Sequence, residues 1–294
     1  MTVTEKAYAK INLYLDVLGR RDDGFHEILS VMHSISLADT VRVDCEKSEI
    51  TEITLSSDSA EIPTDETNIA YRIAEKYLNE FGISAKLHIH IEKKIPVGAG
   101  LGGGSSDGAA TLRALYKIFG KGSRQQLLDI CASVGSDLPF CLLCGMYLCG
   151  GRGEKLKKLD VNQSFNFVIA IGKSRISTPK AYSELDKINN NYTNSFGTPE
   201  SLMYRQMIDD MAENGEDSLP IYNVFEQVAQ IDEIGKIKEI MIKNGAETVL
   251  MSGSGPSVFC FCKESADSEQ ICSELEKSGF NAFVCHSVYP EEFI

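Results

Sequence analysis

Apolar and polar residues alternate along the first part of the chain, from Ala7 to Val17. Successive side chains of a β-strand point to opposite faces, so this alternation predicts a strand with one buried face. Lys10 and Asn12 are two residues apart and therefore lie on the same, polar face of that strand. The turn-rich stretch Gly19–Glu27 follows it. Similar patterns predict further strands at Ile28–Leu37, Thr40–Cys45, Ile50–Leu55 and Ala85–Glu92.

The pattern changes to a helical period over residues 68–82. Here the apolar residues recur at every fourth position, as Ile69, Ile73, Tyr77 and Phe81. This spacing predicts an amphipathic helix, which Gly82 ends. Two more helices are predicted after a glycine-rich stretch, from Ser106 to Phe119 and from Ser123 to Gly135.

The second half of the chain has its own order of predicted elements. They are a strand at Phe165–Ile171, helices near Tyr182, at Asn223–Ile231 and at Asp232–Asn244, two strands around Gly253-Ser254-Gly255, a helix at Ser265–Gly279 and a final strand. This order is typical of a ferredoxin-like unit. The polar stretch Lys187–Glu200 predicts a long surface loop. The polar, glycine-rich residues 153–160 predict a boundary between domains at 1–157 and 158–294.

Composition narrows the range of partners. The chain of 294 residues has a net charge of -13, whereas nucleic-acid binding relies on clustered Lys and Arg. No apolar run approaches the ~20 residues that a membrane helix needs. The N-terminus lacks the basic-then-apolar pattern of a signal peptide. We therefore expect a cytoplasmic protein that binds neither nucleic acid nor membrane.

The nine cysteines are scattered from Cys45 to Cys285. Cys141 and Cys144 have the spacing of half a zinc site, but no second pair and no nearby histidine completes it. Reduced thiols are the rule inside cells, and free cysteine packs as a small hydrophobe. We expect buried thiols and no metal site built from them.

Six glycines fall within the eleven residues from Gly98 to Gly108, between a predicted strand and a predicted helix. A flexible linker would join domains through polar sequence, whereas this stretch lies inside one domain. Strand, glycine loop and helix in this order are typical of phosphate sites, because the bare backbone and the helix N-terminus both attract an anion. Lys93 and Lys94 add positive charge just before the loop.

Two common phosphate loops do not fit this stretch. The Walker pattern requires Lys followed by Ser or Thr after its last glycine, whereas Ser105 and Ser106 follow Gly104. Gly98, Gly100 and Gly103 have the spacing of the dinucleotide fingerprint. That fingerprint opens a strand–helix–strand unit with an acidic residue about 20 positions on. Here another helix follows, and Lys121 stands where the acid is required.

The loop "PVGAGLGGGSSDGAA" resembles the phosphate-binding motif of the galactokinase, homoserine kinase, mevalonate kinase and phosphomevalonate kinase (GHMP) superfamily. Two further stretches resemble the other motifs of that superfamily. They are "AYAKINLYL" near the N-terminus and "VLMSGSGPSVF" near the C-terminus. The resemblance implies an α+β fold of two domains. The N-terminal domain would be like ribosomal protein S5 and the C-terminal domain ferredoxin-like.

Finer features, above all "AKINLYLDVLGRRDDGFHE", are similar to one branch of that superfamily. Its members use ATP and Mg²⁺ to phosphorylate the 2-hydroxyl of a cytidine diphosphate-linked methylerythritol, in the non-mevalonate route to isopentenyl diphosphate. The resemblance thus implies a kinase with a small-molecule substrate, as a monomer or weak homodimer. Two alternatives stay open, namely another GHMP kinase such as homoserine kinase, and a silent homologue that only binds a ligand.

By the same resemblance Lys10 and Asp137 are catalytic, although a lone lysine on a strand face and an Asp before a helix also have ordinary structural explanations. ATP binding falls to Asn68 and Lys94, and to the loop residues Pro96, Val97, Gly98, Ala99, Gly100, Leu101, Gly102, Gly103, Gly104, Ser105 and Ser106. Substrate binding falls to Asn12, Phe25, His26, Tyr182, Gly253 and Ser254. Each of three residues also has a structural alternative. Asn68 would cap a helix, Tyr182 would pack against its own helix, and Gly253 would form a tight turn.

Overall fold

The computed structural model describes residues 1–161, 163–188, 206, 221–246 and 248–290. The described strands form two sheets. The strands of the first sheet are β1 (Thr2–Arg20), β2 (His26–Lys47), β3 (Glu52–Ser57), β4 (Ala85–Glu92), β5 (Met146–Gly150), β6 (Lys155–Lys158) and β8 (Tyr222–Asn223). They have the order β3-β4-β2-β1-β8, and β5 pairs with both β2 and β6.

Helices from the same half of the chain cover one face of the first sheet. They are α1 (Ile69–Glu80), α2 (Gly103–Phe119), α3 (Arg124–Val134) and α4 (Leu138–Leu143). The alanine-rich middle of α2 is buried, because small side chains let this helix lie close to β1, β2 and α1. The larger apolar core lies between these helices and the sheet.

The strands of the second sheet are β7 (Asn166–Ile171), β9 (Val249–Met251), β10 (Val258–Cys262) and β11 (Asn281–His286). They have the order β11-β7-β10-β9. The helices of this half are α5 (Thr178–Ile188), α6 (Asp232–Lys243) and α7 (Ser265–Lys277). When these four strands are numbered 1 to 4 along the chain, their order in the sheet is 4-1-3-2. This is the order of a ferredoxin-like unit, as predicted. A second apolar core joins this sheet to β1 and β2.

Several predicted boundaries are wrong. The strands expected at Ile28–Leu37 and Thr40–Cys45 are one long strand, β2, and the turn before it shrinks because β1 continues to Arg20. The helix expected at Asn223–Ile231 is instead a short strand followed by a 3₁₀ helix, Val224–Gln227. The Asn223 side chain accepts a hydrogen bond from the N–H of Phe225, which starts this tighter turn.

Three further differences concern the region around the glycine loop. Helix α2 begins at Gly103, three residues before the predicted start. The sequence patterns did not predict α4, β5 or β6, because short apolar runs have no diagnostic period. The predicted surface loop lies outside the described residues beyond residue 188. The domain boundary after residue 157 stays a prediction, and β8 from the second half pairs with β1 of the first.

Irregular pairing marks the part of β1 that carries Lys10 and Asn12. The register between β1 and β2 shifts between Tyr8 and Lys10 and again between Asn12 and Tyr14. Such bulges re-aim side chains, often next to functional sites. Both polar side chains are consequently buried between the two domains instead of facing open solvent.

A buried histidine links the two halves of the chain. The Nε2 atom of His33, on β2, lies 2.8 Å from Oγ of Ser287, which follows β11. The ring is fully buried beside Phe167 and Tyr289. Burial lowers the pKa of His33 to about 4, because the charged imidazolium loses its hydration there.

This low pKa predicts a loss of stability in mild acid. Below pH ~6.5 the unfolded chain binds a proton that folded His33 does not bind, so the free energy of unfolding falls between pH ~6.5 and ~4. At pH ~5 this contribution is about 2 kcal/mol. His33→Gln should remove that share of the pH dependence in urea unfolding measured at the two pH values of ~7 and ~5. If the free energy of unfolding of His33→Gln depends on pH as that of the wild type does, the assignment of this effect to His33 is wrong.

Candidate active site

A cavity of about 890 Å³ opens between the two domains. Strands β1 and β2, both glycine loops, the turn before α4 and helix α5 contribute to its walls. Of the residues predicted for the site, those that line it are Lys10, Asn12, Phe25, His26, Gly100, Gly102, Ser105, Asp137, Tyr182, Gly253 and Ser254. Residues from distant parts of the sequence thus meet in one cavity.

Lys10 occupies the centre of a small polar network. Its Nζ donates a hydrogen bond to Oδ1 of Asn12 at 2.7 Å and lies 3.7 Å from Oδ2 of Asp137. The Asn12 amide nitrogen donates to Oγ of Ser30 at 2.8 Å, and this bond fixes which end of the amide faces the lysine. A cation is thereby held beside a carboxylate at the cavity wall.

Asp137 stands at the N-cap position of α4, yet its side chain makes no capping hydrogen bond. Only its backbone carbonyl serves the helix, by accepting the N–H of Cys141 at 3.0 Å. The carboxylate is partly exposed in the cavity instead. Its position therefore favours a chemical role over the capping alternative.

The first glycine loop turns sharply and then starts α2. Gly98, Gly100 and Gly102 have φ of 70°, 78° and 72°, in the left-handed region that favours glycine. The first helical hydrogen bond runs from the N–H of Ser106 to the carbonyl of Gly102. The N–H groups of the first turn therefore precede the helical bonding pattern and form the positive end of the helix dipole. This geometry suits a phosphate group.

The second glycine loop touches the first through the backbone. A Cβ atom on Gly100 would lie 2.5 Å from the carbonyl oxygen of Ser252, and one on Gly253 would lie 3.0 Å from the carbonyl oxygen of Gly100. Asn223 fixes the second loop, because its amide nitrogen donates to the carbonyls of Met251 and Gly253. Asn223 was not predicted as a site residue, because a single polar residue beside an apolar stretch is a weak signal in the sequence.

Aromatic side chains form another wall of the cavity. The rings of His26 and Tyr182 are stacked, with centroids 4.5 Å apart and planes at 22°. Phe225 meets Tyr182 edge-on at 4.8 Å, and burial raises the pKa of the Tyr182 hydroxyl above its usual value. Phe25 is 49% exposed. The exposed ring of Phe25 and the stacked pair of His26 and Tyr182 line the same cavity.

Charged groups hold two members of this wall. Nε2 of His26 lies 2.9 Å from Oδ1 of Asp186, on α5. The guanidinium carbon of Arg152 lies 4.6 Å from the centroid of the Phe25 ring, in the position of a cation–π contact. Asp186 and Arg152 were not predicted from the sequence, since both are far along the chain from their aromatic partners.

Three other predicted ATP-binding residues, Asn68, Lys94 and Ser106, do not line the cavity. Asn68 caps α1 through Oδ1, which accepts the N–H of Ala70, and its amide nitrogen donates to the carbonyl of Pro63. Ser106 is buried, and its hydroxyl donates to the carbonyl of Tyr8 at 2.7 Å. Lys94 is exposed just before the loop. Their roles towards ATP stay predictions.

The rest of the loop supports its shape. Pro96 and Val97 are half-buried, Ala99 and Leu101 are buried, and Gly103 and Gly104 form the first turn of α2. The carbonyl of Leu101 accepts the N–H of Lys10 at 3.0 Å. A Cβ on Gly102 would lie 3.0 Å from Cγ of Lys10, so the lysine stem packs directly on the loop.

Both halves of the chain match models of GHMP kinase domains. The N-terminal domain model matches residues 68–145 and the C-terminal domain model matches residues 204–281. A crystal structure of homoserine kinase from Cytophaga hutchinsonii aligns with a TM-score of 0.75 at 19% identity, over 99% of this chain and 96% of that one, and so shows the fold alone. Together with the two glycine loops, these matches define the class as kinases of the GHMP fold.

Relatives within this class are more similar. The 4-diphosphocytidyl-2-C-methyl-D-erythritol kinase of Caldicellulosiruptor bescii is 41% identical over 86% of this chain and 87% of its own. That of Clostridium acetobutylicum is 36% identical over 96% and 99%. A crystal structure of 4-(cytidine 5'-diphospho)-2C-methyl-D-erythritol kinase aligns with a TM-score of 0.78 at 30% identity, over 97% and 100%. The chain belongs to the 4-diphosphocytidyl-2-C-methyl-D-erythritol kinase family and is an ATP-dependent kinase.

Three further observations concern thiols, metal ions and membranes. All nine cysteines are free thiols, and seven of them are buried. Within the described ranges, no cluster of three or more His, Cys, Asp or Glu side chains is arranged to hold a metal ion. The same ranges contain no helix that is long and apolar enough to cross a membrane.

Asp137→Asn tests the chemical role of the carboxylate. Because Asp137 makes no side-chain cap, thermal stability should barely change, while turnover should fall by about 100-fold or more. Ser123→Ala is the matched control, since Ser123 does cap α3. It should cost about 1 kcal/mol of stability and leave turnover intact. The role fails if Asp137→Asn turns over normally per folded molecule.

Proposed function

We propose that the chain transfers the γ-phosphate of ATP to the 2-hydroxyl of 4-diphosphocytidyl-2-C-methyl-D-erythritol. The observation that carries this proposal is the meeting of two sets of groups in one cavity. Lys10, Asp137 and the glycine loops are groups for phosphoryl transfer, and Phe25 with His26 offers an aromatic wall for a base. The named relatives act on the same acceptor.

ATP binding is assigned to the first glycine loop and the start of α2. The backbone N–H groups of Gly103, Gly104 and Ser105 point out of the first turn, where a phosphate gains from both hydrogen bonds and the helix dipole. Lys94 is near enough in sequence to add charge at the entrance. The overall charge of -13 makes such a local device necessary.

Mg²⁺ suits the same place. When bound, it neutralises charge on the phosphates, and it prefers oxygen ligands, usually one or two protein groups besides the phosphates. Asp137 and Ser105 are oxygen-bearing side chains on the cavity wall. Ser106 fits less well, because its hydroxyl already donates to the carbonyls of Tyr8 and Gly102.

The acceptor hydroxyl is assigned to the space beside Lys10, Asn12 and Asp137. Asp137 accepts the proton of the attacking hydroxyl, and Lys10 stabilises the charge that accumulates on the phosphoryl oxygens. Asn12 positions the hydroxyl-bearing end and holds the Lys10 ammonium. Since phosphoryl transfer has a loose transition state, position and charge contribute more than base strength.

Cytosine recognition is assigned to Phe25, His26 and Tyr182. Phe25 offers a partly exposed ring for stacking, with Arg152 on it. Tyr182 supports the wall from behind by stacking on His26, and Asp186 fixes the orientation of the histidine ring. Gly253 and Ser254, on the second loop, face the diphosphate of the acceptor. The cytoplasmic location and the monomeric or weakly dimeric state belong to this proposal as well.

An ATP-consumption assay against four acceptors tests the function directly. The panel contains the cytidylyl methylerythritol, homoserine, mevalonate and galactose, each with Mg²⁺ and ATP. The first acceptor alone should give stoichiometric ADP. Turnover of homoserine in its place would move the assignment to another GHMP kinase, and ATP binding without any turnover would favour a silent homologue.

The aromatic wall predicts selective loss of acceptor binding. Stacking on an aromatic side chain contributes roughly 1–3 kcal/mol per base, so Phe25→Ala should weaken acceptor binding by about 5- to 150-fold. Tyr182→Leu removes the ring that stacks on His26, so it should also weaken acceptor binding, but less than Phe25→Ala. ATP affinity should stay the same. Tyr289→Ala is the control, because Tyr289 is similarly exposed and lies outside the cavity lining. Calorimetric titration of both ligands measures this, and wild-type acceptor affinity in both variants would refute cytidine recognition.

A further inference from the structure

Three buried charges lie beneath the first glycine loop. Nζ of Lys93 is 2.5 Å from Oδ2 of Asp39, on β2, and 2.7 Å from Oδ2 of Asp107, on α2. The three side chains are only 7%, 0% and 3% exposed, respectively. The sequence suggested Lys93 as charge for phosphate, but two carboxylates hold its ammonium group inside the protein. This cluster has no part in the chemistry described above.

Stability alone explains such a cluster poorly. The desolvation of buried charges often exceeds their mutual attraction, so apolar residues of similar volume serve stability as well or better. Burial raises the pKa of Asp107 to about 7, against the opposite effect of Lys93. Its Oδ1 has no hydrogen-bond partner among the described residues. Next to the loop the protein therefore buries an ionic network in which one carboxylate oxygen makes no hydrogen bond within the described part of the chain.

The cluster is attached to both ends of the loop. Oδ1 of Asp39 accepts the backbone N–H groups of Lys94 at 2.5 Å and Ile95 at 2.8 Å, which fixes the chain as it enters the loop. Asp107 lies in the second turn of α2, where the chain has just left the loop. Lys93 connects the two carboxylates. The distance between the two ends of the loop is thereby set from β2.

The lysine also reaches the first turn of α2. A Cβ atom on Gly103 would lie 3.4 Å from Nζ of Lys93 and 3.1 Å from Cγ2 of Ile95. The same residue, Gly103, donates one of the N–H groups assigned to ATP. A shift of the Lys93 ammonium would therefore displace the backbone to which the phosphates are assigned.

We propose that Lys93, held by Asp39 and Asp107, is a positioning residue that fixes both ends of the glycine loop so that its N–H groups converge on the phosphates of ATP. The inference rests on the proposed ATP-dependent function and deepens it. It does not depend on the identity of the acceptor. Removing the lysine takes away the cation that joins Asp39 on β2 to Asp107 on α2. Because two neighbouring buried carboxylates do not both stay ionised, one takes up a proton, and the ionic link between the two ends of the loop is lost.

Lys93→Met tests the proposal, because it removes the charge and keeps the length of the side chain. Arg113→Met is the matched control. Arg113 is ten residues beyond Gly103 on the same helix, about 15 Å along its axis. It is also a buried cation, with Nε 3.3 Å from Oε2 of Glu5 and side chains only 8% and 10% exposed. It also donates to the carbonyls of Lys6, Cys141 and Leu142.

The measurements are the melting temperature, the Kd of Mg-ATP by calorimetry, and the KM of the acceptor. Both variants should melt at lower temperature, and Arg113→Met at least as low as Lys93→Met. Lys93→Met should bind Mg-ATP about 10- to 100-fold more weakly, as expected for a misplaced binding group, with the KM of the acceptor within about twofold of wild type. Arg113→Met should keep the Mg-ATP affinity of the wild type.

Two results would overturn the proposal. One is unchanged Mg-ATP affinity in folded Lys93→Met, and the other is an equal loss of affinity in Arg113→Met, which would point to general destabilisation. If Lys93→Met does not fold, the isosteric Asp107→Asn takes its place, with the same expected split between ATP and acceptor. A wild-type protein that binds Mg-ATP but phosphorylates no acceptor contradicts the proposed function and leaves this test intact.

Discussion

Backbone contact between the two glycine loops is the constraint on which the site depends. Gly100 and the segment Ser252–Gly253 approach so closely that a single Cβ would collide with a carbonyl oxygen. That approach brings the ferredoxin-like domain against β1 at the level of Lys10 and Asn12. The bulges on either side of these residues then turn both side chains into the cavity. Without the contact, Tyr182, Gly253 and Ser254 of the second half of the chain would not share a cavity with the first glycine loop.

The remaining parts of the site follow from this arrangement. Asn223 holds the second loop from behind, through two backbone carbonyls. The cluster of Lys93, Asp39 and Asp107 holds the first loop from below. Between them Lys10 and Asp137 form a cation–carboxylate pair in the cavity, at the point where a phosphoryl group would pass from ATP to a hydroxyl.

The sequence predicted the features that depend on local pattern. Period-two alternation correctly put Lys10 and Asn12 on one face, and the glycine spacing correctly marked a loop that opens a helix. Short apolar runs such as Leu138–Leu143 were not recognised as helix or strand, because both fit a few buried residues equally well. Asn223 was expected in a helix, but pairing of β8 with β1 overrode that preference.

Pairs distant in sequence were also beyond prediction. The sequence suggested that Lys93 adds positive charge before the loop. Its partner Asp39 lies 54 positions earlier, and only the fold brings the two together. The same holds for His26 and Asp186, which are 160 positions apart. The motifs thus named candidate site residues, whereas the groups that contact these residues in the fold could be found only in the structure.

The most direct test of the account is the position of the transferred phosphate. Phosphorus and carbon NMR of the product, formed from 4-diphosphocytidyl-2-C-methyl-D-erythritol with Mg-ATP, would show it. We expect a new phosphomonoester whose phosphorus couples to carbon 2 of the methylerythritol and which forms in equal amount with ADP. ADP formed without that coupling, or a phosphate on another hydroxyl, would contradict the assignment of Lys10, Asn12 and Asp137 to the acceptor.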